Sequence, residues 1–251
     1  MQDRAALVLA MLEAALTAGD RILAVSTDAL ATTRKADLSP VTVADRAADA
    51  AITEILSAKA PGIAIVSEEN TASHAAAPAG PFFLIDPLDG TRGFIEGSDE
   101  FTVNIALLEA GAPTLGVILV PRWRELYWVG ADGRAMMQRG GEPVEIAARV
   151  APEDGLVAVV SRTSAQAETA AYLATLTIAR ELTASSSLKF CQLACGLADV
   201  YPRFGPTSEW DTAAGDAILR AAGGSVRTPG GAPLAYGKPN WLNGPFIARG
   251  R

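Results

Sequence analysis

Phe82-Phe83-Leu84-Ile85-Asp86-Pro87-Leu88-Asp89-Gly90-Thr91 is the stretch on which the reading of this chain turns. Four consecutive apolar residues, two of them aromatic and one β-branched, form a strand that delivers Asp86 at its end. Pro87 and Gly90 shape a turn, and Asp89 comes back on the same side as Asp86. Two acids around a proline are a poor way to end an apolar strand unless something compensates their charge. Carboxylates about 4 Å apart repel by roughly 4 kcal/mol at an effective dielectric of 20, so converging acids call for proton uptake or for cations.

Working outward, the run IAIVSEE (63–69) is a second strand ending in acid, at Glu68 and Glu69, and Asp211 follows Trp210 at the opening of a helix. Taken alone, the two glutamates read as a solvated turn and Asp211 as a helix cap. If they converge with Asp86 and Asp89, the hard oxygen donors select magnesium, manganese or calcium over zinc or copper. Such a site with an open position is suited to displacement at phosphorus.

The remaining elements fit an α/β chain. Helical-period apolar positions run from Asp3 to about Val25, and a second helix begins at Thr42, where Asp45 three residues on completes a capping-box pattern, and stops at Pro61-Gly62. The runs FTVNIALLEA, TLGVILVP and ELYWVG add strands and predict a mostly antiparallel sheet behind two helices. Beyond about residue 152 come LVAVVS as a strand, a helix near Ala165–Leu176, TIARELTA as a link, and helices over Leu188–Leu197 and Asp211–Ala222, the last ended by Gly223-Gly224. Two units follow from this pattern, residues 1–150 and 151–251, with a cleft between them.

Composition removes other classes. The chain has 251 residues, is 49% hydrophobic and 20% charged, and carries Lys+Arg 21 against Asp+Glu 28 for a net charge of −7, which argues against a nucleic-acid or anionic-membrane binder. There is no apolar run of the roughly 18 residues a membrane span needs and no signal-peptide pattern, so the cytoplasm is the expected address, with peripheral association at the inner membrane as the other option. Cys191 and Cys195 lie in an apolar run and read as buried helix. His74, the single histidine, sits in TASHAAAPAGP (71–81) and reads as part of a mobile loop. One histidine is too few for HExxH or two-histidine metal sites, which leaves carboxylates, hydroxyls and metal ions to move protons.

Glu68-Glu69, the Asp86–Thr91 string and Trp210-Asp211-Thr212-Ala213-Ala214-Gly215 together resemble the signature of the inositol monophosphatase superfamily of magnesium-dependent, lithium-sensitive phosphatases. Lys35-Ala36-Asp37-Leu38-Ser39-Pro40-Val41-Thr42, Phe101–Ala106, Ser185–Cys191 and Tyr201–Thr207 are similar to the bacterial 3′(2′),5′-bisphosphate nucleotidase branch. The resemblance implies a layered αβαβα sandwich of the inositol monophosphatase/fructose-1,6-bisphosphatase type. It places Glu68, Asp86 and the Leu88 carbonyl on a first magnesium, Asp86, Asp89 and Asp211 on a second, and Glu68 with Asp37 on a third. Asp37 and Thr91 become the pair that orients and deprotonates water, Glu68 being the alternative for that role, while the Gly90 and Thr91 N–H groups cradle phosphate. Ser186, Ser187, Lys189 and Arg203 become contacts for a second phosphate.

The implied substrate is a small phosphorylated molecule, adenosine 3′,5′-bisphosphate or its sulfated parent, in sulfur assimilation. The implied ions are two to three Mg2+ per site, with Mn2+ as a substitute and Li+ and Ca2+ as inhibitors; the implied assembly is a homodimer. Relatives of that branch often carry Ser-Arg-Ser-His where this chain has Ser161-Arg162-Thr163-Ser164, which leaves inositol or histidinol monophosphate as an alternative substrate. A cation- or phosphate-binding protein without turnover is the alternative of another class.

Overall fold

Helix α1 (Arg4–Ala24) starts where Asp3 accepts the Ala5 N–H, satisfying one of the donors that a helix leaves free at its first turn. The computed structural model describes residues 3–25, 33–34, 40–162 and 167–251, with only the backbone at 33–34 and 40–41. A short antiparallel pair, β1 (Thr33–Arg34) and β2 (Pro40–Val41), leads into α2 (Val43–Lys59). The predicted capping box is present, with Thr42 and Asp45 bonded reciprocally.

The first sheet has seven strands in chain order: β3 (Ala64–Ser67), β4 (Phe82–Asp89), β5 (Thr102–Glu109), β6 (Ala112–Val120), β7 (Glu125–Val129), β8 (Ala135–Arg139) and β9 (Val144–Glu145). Only β3 and β4 are parallel; the other neighbours are antiparallel. Between β4 and β5 the short helix α3 (Thr91–Ile95) is inserted. Phe83, Leu84 and Ile85 are all buried, because β4 is covered on both faces, and that is why its apolar run is continuous rather than alternating.

The rest of the chain comprises β10 (Leu156–Ser161), α4 (Ala167–Leu173), β11 (Ile178–Ala184), α5 (Leu188–Ala194), β12 (Val200–Arg203), β13 (Thr207–Ser208), α6 (Ala213–Ala221), β14 (Ser225–Arg227), β15 (Leu242–Asn243) and β16 (Phe246–Arg249). A five-stranded sheet runs in the order β11-β10-β12-β16-β14, and β13 pairs with β15. Helices α1 and α2 cover one face of the first sheet, α5 and α6 lie between the two sheets, and α4 packs against β12. This is the expected αβαβα sandwich.

Three expectations need correction. TIARELTA is not a link: Ile178–Ala184 forms edge strand β11, parallel to β10, and its many exposed positions gave it no alternating signature. The third helix of the second half is shorter than 211–222, since Thr212 is its N-cap and Asp211 lies ahead of it. His74 does not belong to a mobile loop; it ends a single 3-10 turn, Thr71–His74, and is held by its ring and its carbonyl.

Candidate metal and phosphate site

Asp86 and Asp89 are three residues apart on one strand, and in a regular strand they would face opposite ways. The β4–β5 register shows why they do not. Asp86 lies opposite Asn104 and Asp89 opposite Thr102, so three steps on β4 match two on β5. One extra residue is accommodated at Pro87-Leu88, a β-bulge that turns the second acid to the side of the first. The Leu88 N–H donates to Asp86 Oδ1 at 3.1 Å and fixes the turn. Gly90, at φ +91°, completes it; a Cβ there would lie 2.3 Å from Ser186 Oγ.

Glu68 arrives from β3, continuing the parallel ladder through its N–H to Ile85 O at 3.1 Å. Asp211 arrives from the turn before α6, where its Oδ2 accepts the Ser208 N–H at 2.8 Å. Carboxylate oxygens of Glu68, Asp86 and Asp211 all lie within 4.8 Å of one another. Asp89 stands close enough to raise the proton affinity of both Asp86 and Asp211.

The acids raise one another's proton affinity. Burial, then the charges of Glu68, Asp89 and Asp211, push the Asp86 carboxyl well above the usual carboxylate range. Asp211 is raised by burial, then by Asp89 and Glu68. Asp89 is raised by burial to about 6, with the Lys189 ammonium opposing. Four converging oxygen-donor groups, three from the ends of β3 and β4 and one from the turn before α6, match a hard divalent cation, so the residues present fit the metal that the resemblance implies.

Thr91 opens α3 beside this cluster. Its hydroxyl lies 3.0 Å from Asp45 Oδ1 and 3.0 Å from the Leu88 carbonyl. Asp45 was legible only as a capping residue, yet its Oδ2 alone serves the cap, accepting the Thr42 N–H at 2.7 Å and the Thr42 hydroxyl at 2.6 Å. Its second oxygen is spent on Thr91. Burial raises the Asp45 carboxyl above the usual range in spite of these donors. The signal that would have found it is the proximity of the capping box to the quoted string in three dimensions, which spacing alone does not give. Asp37 lies outside the described residues, as do Thr163 and Ser164.

A cavity of about 260 Å³ opens next to the acids, lined by Asp89, Gly90, Ser186, Lys189, Arg203 and Asp211 among others. Lys189 is buried, donates to Ser186 O at 2.6 Å, and lies 5.3 Å from the Tyr201 ring centroid. Burial lowers its ammonium to about 8, Asp89 working against the shift. Arg203 donates to Ser161 Oγ at 3.0 Å. Ser186 lines the cavity but its hydroxyl is turned to Asp89 O at 3.0 Å. Ser187 lies behind the wall, donating to Asn104 Oδ1 at 2.6 Å, and meets Thr102 at 2.8 Å. These two serines therefore buttress the Asp89 turn from the second half of the chain.

The model of the inositol monophosphatase family matches residues 4–248. The 3′(2′),5′-bisphosphate nucleotidase CysQ of Escherichia coli (strain K12) is 42% identical over 232 residues, covering 88% of this chain and 90% of that protein. The CysQ of Salmonella typhimurium is 43% identical over 225 residues, with the same shares covered. Among solved structures, CysQ from Bacteroides thetaiotaomicron, a bacterial member of the family, superposes with a TM-score of 0.81 at 37% identity over 96% of each chain. A fold of this layering, an acid cluster at the bulged end of β4 and relatives of this identity over most of their length lead to one assignment: the chain belongs to the inositol monophosphatase family.

Proposed function

We propose that this chain is a metal-dependent phosphatase that acts as a 3′(2′),5′-bisphosphate nucleotidase, removing the 3′-phosphate of adenosine 3′,5′-bisphosphate to give AMP and inorganic phosphate. The observation that carries this reading is that one cavity is lined both by the acids Asp89 and Asp211 and by the cations Lys189 and Arg203, so that ligands for metal ions and partners for a second phosphate meet in the same place. An acidic protein needs such local cations to hold a second phosphate. The names of the relatives at 42% and 43% identity agree with it.

Glu68, Asp86, the Leu88 carbonyl, Asp89 and Asp211 would hold two to three magnesium ions, which when bound neutralise the phosphate and acidify a water molecule. The chain's own groups do the rest. The Thr91 hydroxyl has one proton; donated to Asp45, it leaves the oxygen free to accept from the attacking water and to aim it in line with the leaving sugar oxygen. As the new P–O bond forms and the P–O3′ bond breaks, the water's proton passes toward Asp45, and the departing alkoxide takes a proton from solvent. The raised proton affinity of Asp45 suits a base that works for one step. The hydrogen bond from Thr91 to Asp45 favours Asp45 for the water-orienting role first expected of Asp37, which stays a proposed ligand of the third ion. Lys189 and Arg203 bind the 5′-phosphate, and the backbone N–H groups of Gly90 and Thr91 face the reacting one.

On this reading residues 1–150 supply the water-orienting pair and most of the ligands, and residues 151–251 supply Asp211 and the substrate contacts. Manganese substitutes for magnesium, lithium and calcium inhibit, the enzyme is a cytoplasmic homodimer and it serves sulfur assimilation. Among the described residues no helix is long and apolar enough to cross a membrane. The test is phosphate release with magnesium from adenosine 3′,5′-bisphosphate, inositol 1-phosphate, histidinol phosphate and AMP. Preference for the bisphosphate supports the reading, preference for a monophosphate moves the chain to another branch of the family, and metal binding without release from any substrate makes it a binding protein.

A further inference from the structure

His74 is the one histidine of the chain, and the proposed reaction does not use it. Its imidazole is engaged on an edge and on a face. Nε2 lies 2.6 Å from the carbonyl oxygen of Ser67, and since a carbonyl only accepts, that nitrogen carries a proton and donates. The ring stacks on the indole of Trp210, with centroids 4.9 Å apart and 25° between the planes. The backbone carbonyl of the same residue accepts the Trp241 indole N–H at 3.0 Å. Ser67 immediately precedes Glu68, and Trp210 immediately precedes Asp211.

These two acids come from distant parts of the chain, Glu68 from the end of β3 and Asp211 from the turn before α6. β3 is the edge of the seven-stranded sheet, whereas Asp211 follows the separate β13–β15 pair, and among the described residues no ladder joins the two. Their carboxylates nonetheless lie within 4.8 Å. The imidazole spans the gap one residue behind both, beside a second link that runs from the His74 carbonyl through Trp241, whose own carbonyl accepts the Glu209 N–H at 2.8 Å. Little else in the turn depends on the imidazole: Ser73 Oγ accepts the Ser67 N–H at 3.2 Å and donates to Asn70 O at 2.6 Å without the ring.

We propose that His74 is a positioning residue for the divalent-cation site, a strut between Ser67 and Trp210 that holds Glu68 and Asp211 at coordinating separation. The inference rests on the reading of those acids as metal ligands. Partners one step behind a ligand typically change metal affinity by about 10- to 100-fold when they are removed, because the ligands then sample spacings that do not fit the ion.

The test is Mn2+ binding to the full chain without substrate, followed by electron paramagnetic resonance, for the wild type, His74→Ala, His74→Phe and His74→Gln. Phenylalanine keeps the stack and loses the donor; glutamine keeps a donor and loses the stack. The alanine variant is expected to bind Mn2+ about 10- to 100-fold more weakly, the other two falling between, while KM at saturating metal stays within about twofold. The thermal midpoint of the metal-free protein is expected to be nearly unchanged. Equal Mn2+ affinity in the wild type and His74→Ala overturns the strut, and so does a loss of affinity that tracks a loss of thermal stability across the three variants. A wild-type chain that takes up no Mn2+ overturns the ligand assignment itself, a separate result.

Discussion

The Thr91 hydroxyl reaches Asp45 Oδ1 at 3.0 Å, joining the first turn of α2 to the first turn of α3 across the end of β4. Asp45 is thereby a cap with one oxygen and a polariser with the other. Asp45→Asn tests the second role with little loss of the first, since the amide oxygen still accepts from Thr42 while the amide nitrogen must donate to Thr91 and reverse the direction of the bond. We expect kcat to fall by about 10²- to 10⁴-fold with KM within a few-fold, and Thr91→Ala to do the same. The double variant should be little worse than the poorer single one, because the two groups form one relay. Multiplying losses in steady-state kinetics would separate them.

The quoted string held more of the site than any other stretch. Asp86 and Asp89 were legible because the strand, the proline and the glycine are local signals, and the structure adds the bulge that aligns them. The Thr42–Asp45 box was legible for the same reason. Asp45 as a partner of Thr91 was not, because the two are 46 positions apart and only the packing of α2 against β4 brings them together. Strand β11 was missed since its exposed face carries no alternation, and His74 was misplaced since a small-residue loop gives no sign that two indoles will hold it.

Metal-free protein should lose stability as pH rises. Asp86, Asp89 and Asp211 have raised proton affinities in the folded chain, so above the ordinary carboxylate range the native state binds more protons than the unfolded one and the slope of unfolding free energy with pH is negative. The stabilising protons are fully present below the unfolded value near 3.8 and are lost as pH rises through the raised folded values, about 6 for Asp89. Asp216, buried and raised to about 7, adds the same sign. Thermal melts in chelator should therefore show a falling midpoint between about pH 5 and pH 8, and excess Mg2+ should remove most of the fall. A flat profile in chelator would show that the acids are not held together without ions.

Gly116 on β6 lies under the start of α6, and a Cβ there would stand 2.4 Å from the carbonyl oxygen of Ala214, three residues after Asp211. A backbone atom cannot swing aside as a side chain can. Gly116→Ala should cost about 1–3 kcal/mol in urea unfolding and, by lifting the head of α6, weaken metal binding as well. Gly62→Ala is the contrast: it has a positive φ of +88° but nothing within 4 Å, so any loss there should spare the metal.

Lys189 is where specificity should be read. Its ammonium is buried against the Ser186 carbonyl and over Tyr201 in the wall of the cavity, with Asp89 as its nearest acid by charge. A charge-assisted contact to a second phosphate is worth roughly 1.5–3 kcal/mol, or about 10- to 150-fold in affinity. Lys189→Gln should therefore raise KM for adenosine 3′,5′-bisphosphate by that factor and leave KM for inositol 1-phosphate, which has no second phosphate, within a few-fold. The depressed proton affinity gives an independent check. With its pKa lowered to about 8 by burial, the free enzyme loses the cation as pH rises through that value. The alkaline limb of kcat/KM should then appear near pH 8 for the bisphosphate, be absent for inositol 1-phosphate, and vanish in Lys189→Gln. A limb of equal size on both substrates would place Lys189 with the reacting phosphate rather than with a second one.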